Sequence, residues 1–211
     1  MDSKAYWANK HLRYSKEDWI DRPSIFSQFA IKFFPETGRI LDLGAGQGQD
    51  TRLFAEKGFL VVSTDFSIKA LEIAKSKTNP KLDILYEIVD LQEDLPYEDN
   101  SFDVVYSHMA IHYFDDLTTQ KIINEILRVL KTGGILALLL NSKTDPEINC
   151  SKLISEDLYE TPSGLIKRFF DQDSLSGFIG NKFEAIILDT NGETYKDKIN
   201  KSLIRFVGKK L

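Results

Sequence analysis

Short apolar runs alternate with segments of helical periodicity along the first two thirds of the chain. The runs that are rich in Val, Ile, Leu or aromatic residues predict five buried strands, at 39–43, 60–64, 84–89, 102–107 and 135–141. Regular alternation of strands and helices is typical of a parallel sheet with helices on both faces. The pattern therefore predicts a doubly wound α/β fold.

Three helices are predicted between these strands, at 49–57, 67–76 and 118–130. Ser67 is a typical N-cap residue, and Gly58 lies where the first of these helices should end. The third helix is expected to stop at the glycine pair 133–134. Each helix then connects two parallel strands across one face of the sheet.

The pattern changes after Asn141. A polar, proline-containing segment leads to a short helix at 173–178, and two more apolar runs, at 183–188 and 202–207, predict strands. The connection between these two strands is too short for a helical crossover, so they should pair antiparallel as a hairpin at the sheet edge. We therefore predict a mostly parallel seven-stranded sheet with an antiparallel C-terminal strand.

An extension of about 38 residues, dense in aromatic side chains, precedes the first strand. Phe26, Phe29 and Phe33 are spaced by three and four, which predicts a helix whose aromatic face covers the sheet. Four further aromatic residues of the extension have less helical regularity and are candidates for a lid over a ligand: Tyr6, Trp7, Tyr14 and Trp19.

Composition narrows the class of protein. With 211 residues, 42% of them hydrophobic and 28% charged, the chain is predicted to be one soluble globular domain. A formal net charge of -5 argues against a nucleic-acid backbone as the main partner. Cys150 is the single cysteine, and no stretch has the length of a signal peptide or membrane span, so a cytoplasmic protein is expected.

Three glycines, Gly44, Gly46 and Gly48, follow the first strand and precede a helix. Such a turn lets a polar or anionic group approach the backbone closely beside the positive end of the helix. The third glycine comes one residue too early for a dinucleotide fingerprint, and Asp42 would repel a pyrophosphate. A nicotinamide-dependent oxidoreductase is therefore the disfavoured alternative.

Acidic residues end three predicted strands or follow them closely: Asp42, Asp65 and Asp90. Ser67 is better placed than Asp65 to cap the next helix, which leaves the Asp65 carboxylate free to accept both hydroxyl hydrogens of a ribose. Asp90 could accept from an exocyclic amine. Because ligands bind at the carboxyl ends of the strands in open α/β sheets, these acids predict one ligand site.

Five ordered motifs resemble the class I S-adenosylmethionine-dependent methyltransferases, over roughly residues 38 to 141. The motifs are LDLGAGQG at 41–48, TDFS at 64–67, VDL at 89–91, SFDVV at 101–105 and LRVLKTGG at 127–134. Thr132 departs from the family, which commonly has proline there. The resemblance implies a Rossmann-like methyltransferase fold, S-adenosyl-L-methionine as cofactor and S-adenosyl-L-homocysteine as product. It divides the chain into a lid at 1–38, a cofactor-binding core at 39–141 and an acceptor side at 142–211.

The resemblance also implies which residues hold the methionine part of the cofactor. Gly44, Ala45 and Gly46 would approach it, with the loop amides favouring its carboxylate, while Asp42 would hold its ammonium group directly or through water. Zwitterionic amino-acid binding explains why an acid lies beside the glycines.

The nucleoside part of the cofactor is assigned to other residues by the same resemblance. Asp65 would bind the ribose, and Asp90 would accept from the adenine amine. Phe66 and Leu91 would contact the adenine through a ring or the backbone.

The channel for methyl transfer is predicted at the end of the fourth strand and just after it. Ser107 and His108 would line the channel into which the methyl group points. Methyl transfer needs a general base only for some acceptors, and His108 or His112 is the candidate for a hydroxyl or ammonium acceptor. Either histidine could instead be a packed, hydrogen-bonded residue.

The segment 164–170 resembles tellurite-resistance methyltransferases, a small-molecule branch of the family. This resemblance implies that Arg168 contacts the acceptor or an anion, which suits a guanidinium group. The alternative is a solvated surface arginine.

The acceptor is expected to be a small molecule. The chain lacks the Asn/Asp-Pro-Pro-aromatic motif of amino methylation, and residues 107–111 read SHMAI instead. No metal is predicted, because the four-residue spacing of His108 and His112 has no supporting acid. A protein that binds the cofactor without turnover is the non-enzyme alternative, and the sequence leaves the oligomeric state open.

Overall fold

The computed structural model describes residues 3–17, 19–195 and 202–211. Within these ranges the strands are β1 Arg39–Leu43, β2 Leu60–Asp65, β3 Ile84–Ile88, β4 Phe102–His108, β5 Leu130–Asn141, β6 Lys152–Ser155, β7 Leu158–Glu160, β8 Ile166–Arg168, β9 Phe183–Gly192 and β10 Leu203–Lys210. Seven of them form one sheet in the order β3-β2-β1-β4-β5-β10-β9, and β6, β7 and β8 form a second, smaller sheet.

The central sheet has the predicted topology. Strands β1 to β5 pair in parallel, whereas β10 pairs antiparallel with both β5 and β9. The predicted hairpin is confirmed, with β9 at the sheet edge and β10 inserted next to β5. Residues 196–201 of its connection lie outside the described residues. The Rossmann-like methyltransferase fold expected from the sequence is therefore confirmed.

Six α-helices accompany the sheet in the described ranges: α1 Ser3–Tyr14, α2 Ile25–Ala30, α3 Gln49–Glu56, α4 Ile68–Lys77, α5 Asp116–Val129 and α6 Gln172–Ile179. The predicted N-cap of α4 is confirmed, because the Ser67 side chain accepts a hydrogen bond from the Ala70 amide. Among the helices described, none is long and apolar enough to cross a membrane.

Two predicted boundaries around α5 are wrong. The helix begins at Asp116 rather than Thr118, because the Asp115 side chain caps it by accepting from the Thr118 amide at 2.8 Å. It ends at Val129, and β5 starts at Leu130, which pairs with Phe102 of β4. The glycine pair therefore lies inside a strand rather than at a helix end.

The segment after Asn141 contains strands that were not predicted. The strands β6, β7 and β8 form an antiparallel meander, with Asp157 at a positive φ of 60° in the first turn. Two of these strands are three residues long, which is too short to produce a recognisable alternation of apolar and polar residues.

The core lies in two layers, one on each face of the sheet. One layer packs α5 and α6 on the sheet, and the other packs α2 and α3. Phe26 is buried in the second layer and stacks on Tyr106 of β4 at 5.5 Å between ring centroids. Phe29 and Phe33 pack against the same layer, so the prediction that these rings cover the sheet is confirmed.

Candidate functional site

The predicted glycine turn lies between β1 and α3, at the carboxyl edge of the sheet. Gly44 has φ +71° and Gly46 has φ +57°, a left-handed conformation that side chains rarely adopt. A Cβ atom at Gly44 would lie 2.3 Å from Cβ of Ala110, and one at Gly46 would lie 3.2 Å from the His11 ring. Conformation therefore favours glycine at both positions, and the space at Gly44 also excludes a Cβ atom.

Three amides of this turn are already engaged within the protein. The Ala45 amide donates to the Thr64 carbonyl at 2.7 Å, the Gly46 amide donates to Asp65 Oδ2 at 3.0 Å, and the Gly48 amide donates to the Ala45 carbonyl at 3.0 Å. These three amides are therefore not open to a ligand carboxylate as they stand. That Gly44, Ala45 and Gly46 approach the methionine part of the cofactor stays a prediction.

Asp65, at the end of β2, is buried and bound to two amides. Its carboxylate accepts from the Gly46 amide and, at 2.8 Å, from the Ser67 amide, so the expectation that it is free is wrong. Burial raises the pKa of Asp65 to about 6, and the two amide hydrogen bonds oppose that rise. The carboxylate is thus ionised at neutral pH and retains lone pairs for further donors.

Asp42 is more deeply buried, with 2% of its surface exposed. Its Oδ2 accepts a hydrogen bond of 2.6 Å from the Thr51 hydroxyl of α3. Burial raises the pKa of Asp42 to about 8, with smaller contributions from the charges of Asp50 and Asp65. A cation bound beside Asp42 would stabilise its ionised form.

The raised pKa of Asp42 predicts a loss of stability as pH rises. The folded state holds this proton up to about pH 8, whereas the unfolded chain releases it near its ordinary value, so the free energy of unfolding falls across that window. Between pH 6.5 and 8 we expect a loss of about 1–2 kcal/mol in urea unfolding, at most ~1.4 kcal/mol per pH unit.

Asp42→Asn should flatten this dependence, because the amide does not titrate. Asp83→Asn, which removes an exposed carboxylate, should leave the decline as it is. Equal slopes in the wild type and in Asp42→Asn would contradict the assignment.

The other predicted nucleoside contacts lie beside Asp65 or further out along the edge. Phe66 is half-buried between Asp65 and the helix cap. Asp90 lies two residues beyond β3, and its carboxylate accepts from the Gln92 amide at 3.1 Å. Leu91 packs against the edge of the core layer on the α5 side.

The N-terminal helix α1 covers the glycine turn, which the sequence did not predict in detail. The His11 carbonyl accepts a hydrogen bond of 2.7 Å from Gln47 Nε2 in the turn. Trp7 contacts Tyr113 at 5.2 Å between ring centroids. The spacing of Trp7, His11 and Tyr14 by four and three could have predicted this helix face, but the aromatic residues alone, without His11, do not show it.

Trp19 and Tyr195 extend the aromatic cover that Trp7 and Tyr14 of α1 begin. Their ring centroids lie 4.5 Å apart, and Tyr14 packs on Trp19 at 5.1 Å. The Tyr195 hydroxyl accepts from Gln49 Nε2 at 2.6 Å. Tyr195 was not singled out in the sequence, because it lies more than 140 positions from its partner Gln49.

Ser107 and His108 are the last two residues of β4. His108 Nε2 shares a hydrogen bond of 3.0 Å with Thr194 Oγ1, and its ring lies 5.8 Å from Tyr195. Burial lowers the pKa of His108, so the ring is neutral at pH 7. Ser107 is buried, and its hydroxyl donates to the Leu43 carbonyl at 3.0 Å.

His112 and Arg168 are brought together by the small sheet. The Arg168 amide donates to the His112 carbonyl at 2.8 Å. The Arg168 side chain is 3% exposed, pairs with Asp116 at the start of α5 and lies over the Phe178 ring at 5.2 Å. The alternative of a solvated surface arginine is therefore wrong.

A buried carboxylate on α3 organises the elements around the site. Asp50 accepts hydrogen bonds from the Ser24 amide at 2.6 Å, the Ser24 hydroxyl at 2.8 Å and the Tyr106 hydroxyl at 2.7 Å. It ties the start of α2 to the helix after the glycine turn. Over the described ranges, no group of three or more His, Cys, Asp or Glu side chains could hold a metal ion.

Comparison with protein families and curated proteins identifies the domain. Residues 41–138 match the model of a methyltransferase domain. An uncharacterized methyltransferase of Synechocystis is 41% identical over 101 residues, which cover 48% of this chain and 46% of the relative. The tRNA N(3)-cytidine methyltransferase of Danio rerio is 29% identical over 150 residues, covering 65% and 42%. The chain thus spans less than half the length of these relatives.

Solved structures share the fold. A structure of S-adenosylmethionine-dependent methyltransferases from Methanosarcina mazei has a TM-score of 0.71 and 23% identity, covering 85% of this chain and 95% of its own. The 1,6-didemethyltoxoflavin-N1-methyltransferase of Burkholderia thailandensis, with bound 1,6-didemethyltoxoflavin and S-adenosylhomocysteine, has a TM-score of 0.73 and 16% identity, covering 98% and 84%. Residues 41–138 therefore match a methyltransferase domain, and the chain has the fold of S-adenosylmethionine-dependent methyltransferases.

Proposed function

We propose that this protein transfers the methyl group of S-adenosyl-L-methionine to a small-molecule acceptor. The observation that carries the proposal is the hydrogen bond between the Gly46 amide and the Asp65 carboxylate. It joins the turn after β1 to the end of β2. The methionine and ribose parts of the cofactor would meet there. Asp42 lies on the same edge, two residues before the glycine turn.

The residues at this edge fit the cofactor. The glycine turn leaves no room for side chains, and two buried polar atoms beside it, His11 Nδ1 and Gln47 Oε1, have no partner among the described residues. Asp42 and the turn would hold the methionine part, and Asp65 would hold the ribose. The adenine would lie against three residues: Phe66, Asp90 and Leu91.

The cofactor, when bound, supplies a methyl group that is activated by a positively charged sulfur. The chain's own contribution is to align the acceptor and to exclude water. Residues 1–38 act as the lid through α1 and the aromatic cover. Ser107 and His108, at the end of β4, line the channel for methyl transfer.

His108 is the proposed general base for an acceptor that must lose a proton. His108 Nε2 and Thr194 Oγ1 share a hydrogen bond; in the tautomer whose Nε2–H donates to Thr194, Nδ1 is the basic nitrogen that takes the proton. The lowered pKa keeps this nitrogen unprotonated at pH 7. His112 is the second candidate on the acceptor side.

A small acceptor is favoured because α1 and the aromatic cover close over the turn. The toxoflavin-precursor enzyme that shares this fold acts on a small heterocycle, whereas the Danio rerio relative acts on tRNA. The expectation that no nucleic acid is involved therefore stays a prediction, as does the likeness to the tellurite-resistance branch.

The test is calorimetric titration of the purified protein with S-adenosyl-L-methionine, S-adenosyl-L-homocysteine and NAD. We expect the first two to bind and NAD not to bind; the reverse result would support an oxidoreductase. Transfer of a labelled methyl group is then measured with a small-molecule panel and, in parallel, with total tRNA. Tight cofactor binding without transfer to either would indicate a regulator instead of an enzyme.

The proposed acceptor role of Arg168 predicts different outcomes for the two partners of its ion pair. Arg168→Ala and Asp116→Ala both break the pair and should each lower stability by about 1–3 kcal/mol. Arg168 Nε is also buried without a partner, so only Arg168→Ala should raise the KM for the acceptor, by about tenfold. Equal KM values in the two variants would leave Arg168 with a purely structural role.

A further inference from the structure

A donor is needed for the carboxylate of the methionine part of the cofactor, and the glycine turn does not provide it through its engaged amides. The amides of Ala45, Gly46 and Gly48 already donate to protein oxygens. Once ionised beside the ammonium group of an amino acid, Asp42 is an acceptor only and has no hydrogen to donate to the carboxylate.

Gln47 offers an acceptor whose identity is fixed by its partner. Its side chain is 1% exposed, and the nitrogen Nε2 must face the His11 carbonyl, because only a donor can bind there. The other amide atom, Oε1, is therefore an acceptor, and it is buried without a partner. Leaving a buried acceptor without a hydrogen bond costs free energy, so this oxygen favours a ligand that brings an N–H group.

His11 offers the complementary atom on the other side of the turn. The residue is 7% exposed, its ring lies against Gly46, and its Nδ1 is buried without a partner. Burial lowers the pKa of His11 to about 4, so the ring is neutral at pH 7 and carries one N–H donor. The contacts with Trp7 and Tyr14, at 5.9 Å and 6.3 Å between centroids, hold the ring in place.

We propose that His11 and Gln47 form a clamp for the α-amino-acid end of the cofactor, with His11 Nδ1–H donating to its carboxylate and Gln47 Oε1 accepting from its ammonium group. This inference rests on the proposed function. It makes α1 a ligand-binding element, and the hydrogen bond from Gln47 to the His11 carbonyl couples the two halves of the clamp. No covalent step is involved.

The experiment compares two ligands that differ only at this end. S-adenosyl-L-homocysteine has the amino-acid tail, and 5′-methylthioadenosine has the same nucleoside and sulfur without it. His11→Phe keeps a ring between Trp7 and Tyr14 but removes Nδ1. We expect it to weaken S-adenosyl-L-homocysteine by about ten- to hundredfold and 5′-methylthioadenosine by less than about twofold.

Two further variants separate binding from structure. His11→Asn places an amide N–H near the position of Nδ1 and should recover part of the lost affinity. Leu12→Ala, at a neighbouring exposed position of α1, should leave both affinities unchanged.

The outcomes distinguish this inference from the function on which it rests. If His11→Phe weakened the binding of both ligands equally, or of neither, the clamp would be overturned. The proposed function would stand, because the wild type would still bind the cofactor. If the wild type bound neither ligand, the proposed function itself would fail.

Discussion

Gly44→Ala is expected to abolish cofactor binding, with at least about a hundredfold loss of affinity for S-adenosyl-L-homocysteine. The new methyl group would lie 2.3 Å from Cβ of Ala110, and the residue would have to hold φ +71°. Either the turn or the segment after β4 must move, and both line the proposed site. We also expect a loss of about 3 kcal/mol in the free energy of unfolding, measured by urea titration.

A matched glycine separates conformational strain from the steric clash. Gly58 has φ +92°, and a Cβ atom there would meet nothing within 4 Å. Gly58→Ala should therefore cost about 1 kcal/mol of stability and leave the affinity unchanged. Adding Ala110→Gly to Gly44→Ala removes the colliding methyl group and should restore part of the binding. Failure of this rescue, with a normal Gly58→Ala variant, would place the defect in backbone strain alone.

Asp65→Ala is expected to weaken both S-adenosyl-L-homocysteine and 5′-methylthioadenosine by about a hundredfold, because both ligands carry the ribose. The variant also leaves the Gly46 and Ser67 amides without their acceptor. In the wild type, affinity should fall as pH drops through about 6, where the Asp65 carboxylate takes up a proton. Calorimetry at pH 5 and pH 7.5 measures this change.

The control for Asp65 is the neighbouring cap. Ser67→Ala removes the hydrogen bond to the Ala70 amide and should cost about 1 kcal/mol of stability without changing either affinity. If Ser67→Ala and Asp65→Ala weakened binding equally, the loss would come from the start of α4 and not from the ribose contact.

The three variants perturb the binding of different parts of one ligand. Asp65→Ala reports on the nucleoside part, His11→Phe on the amino-acid part, and Gly44→Ala on the space between β1 and the segment after β4. The affinities of both ligands for these variants would show which side of the site holds the nucleoside and which side holds the amino acid.

The sheet and most of the site's position could be predicted from the amino-acid pattern alone. Buried parallel strands produce continuous apolar runs, and the topology follows from the connection lengths, so β1 to β4 and the C-terminal hairpin were predictable. Asp42, Gly44 and Asp65 could be assigned to one edge because strand ends in a parallel sheet meet there. Asp42, Gly44 and the helix that follows the glycine turn lie within a few residues of one another in the chain.

The contacts of these groups could not be predicted, because they depend on how distant elements pack together. The engagement of the Gly46 amide by Asp65 joins residues 19 positions apart, and the placement of His11 over the turn joins it to Gln47, 36 positions away. The burial of Arg168 depends on Asp116, 52 positions earlier. Contacts at such separations arise from packing of whole elements, and local periodicity or propensity carries no information about them.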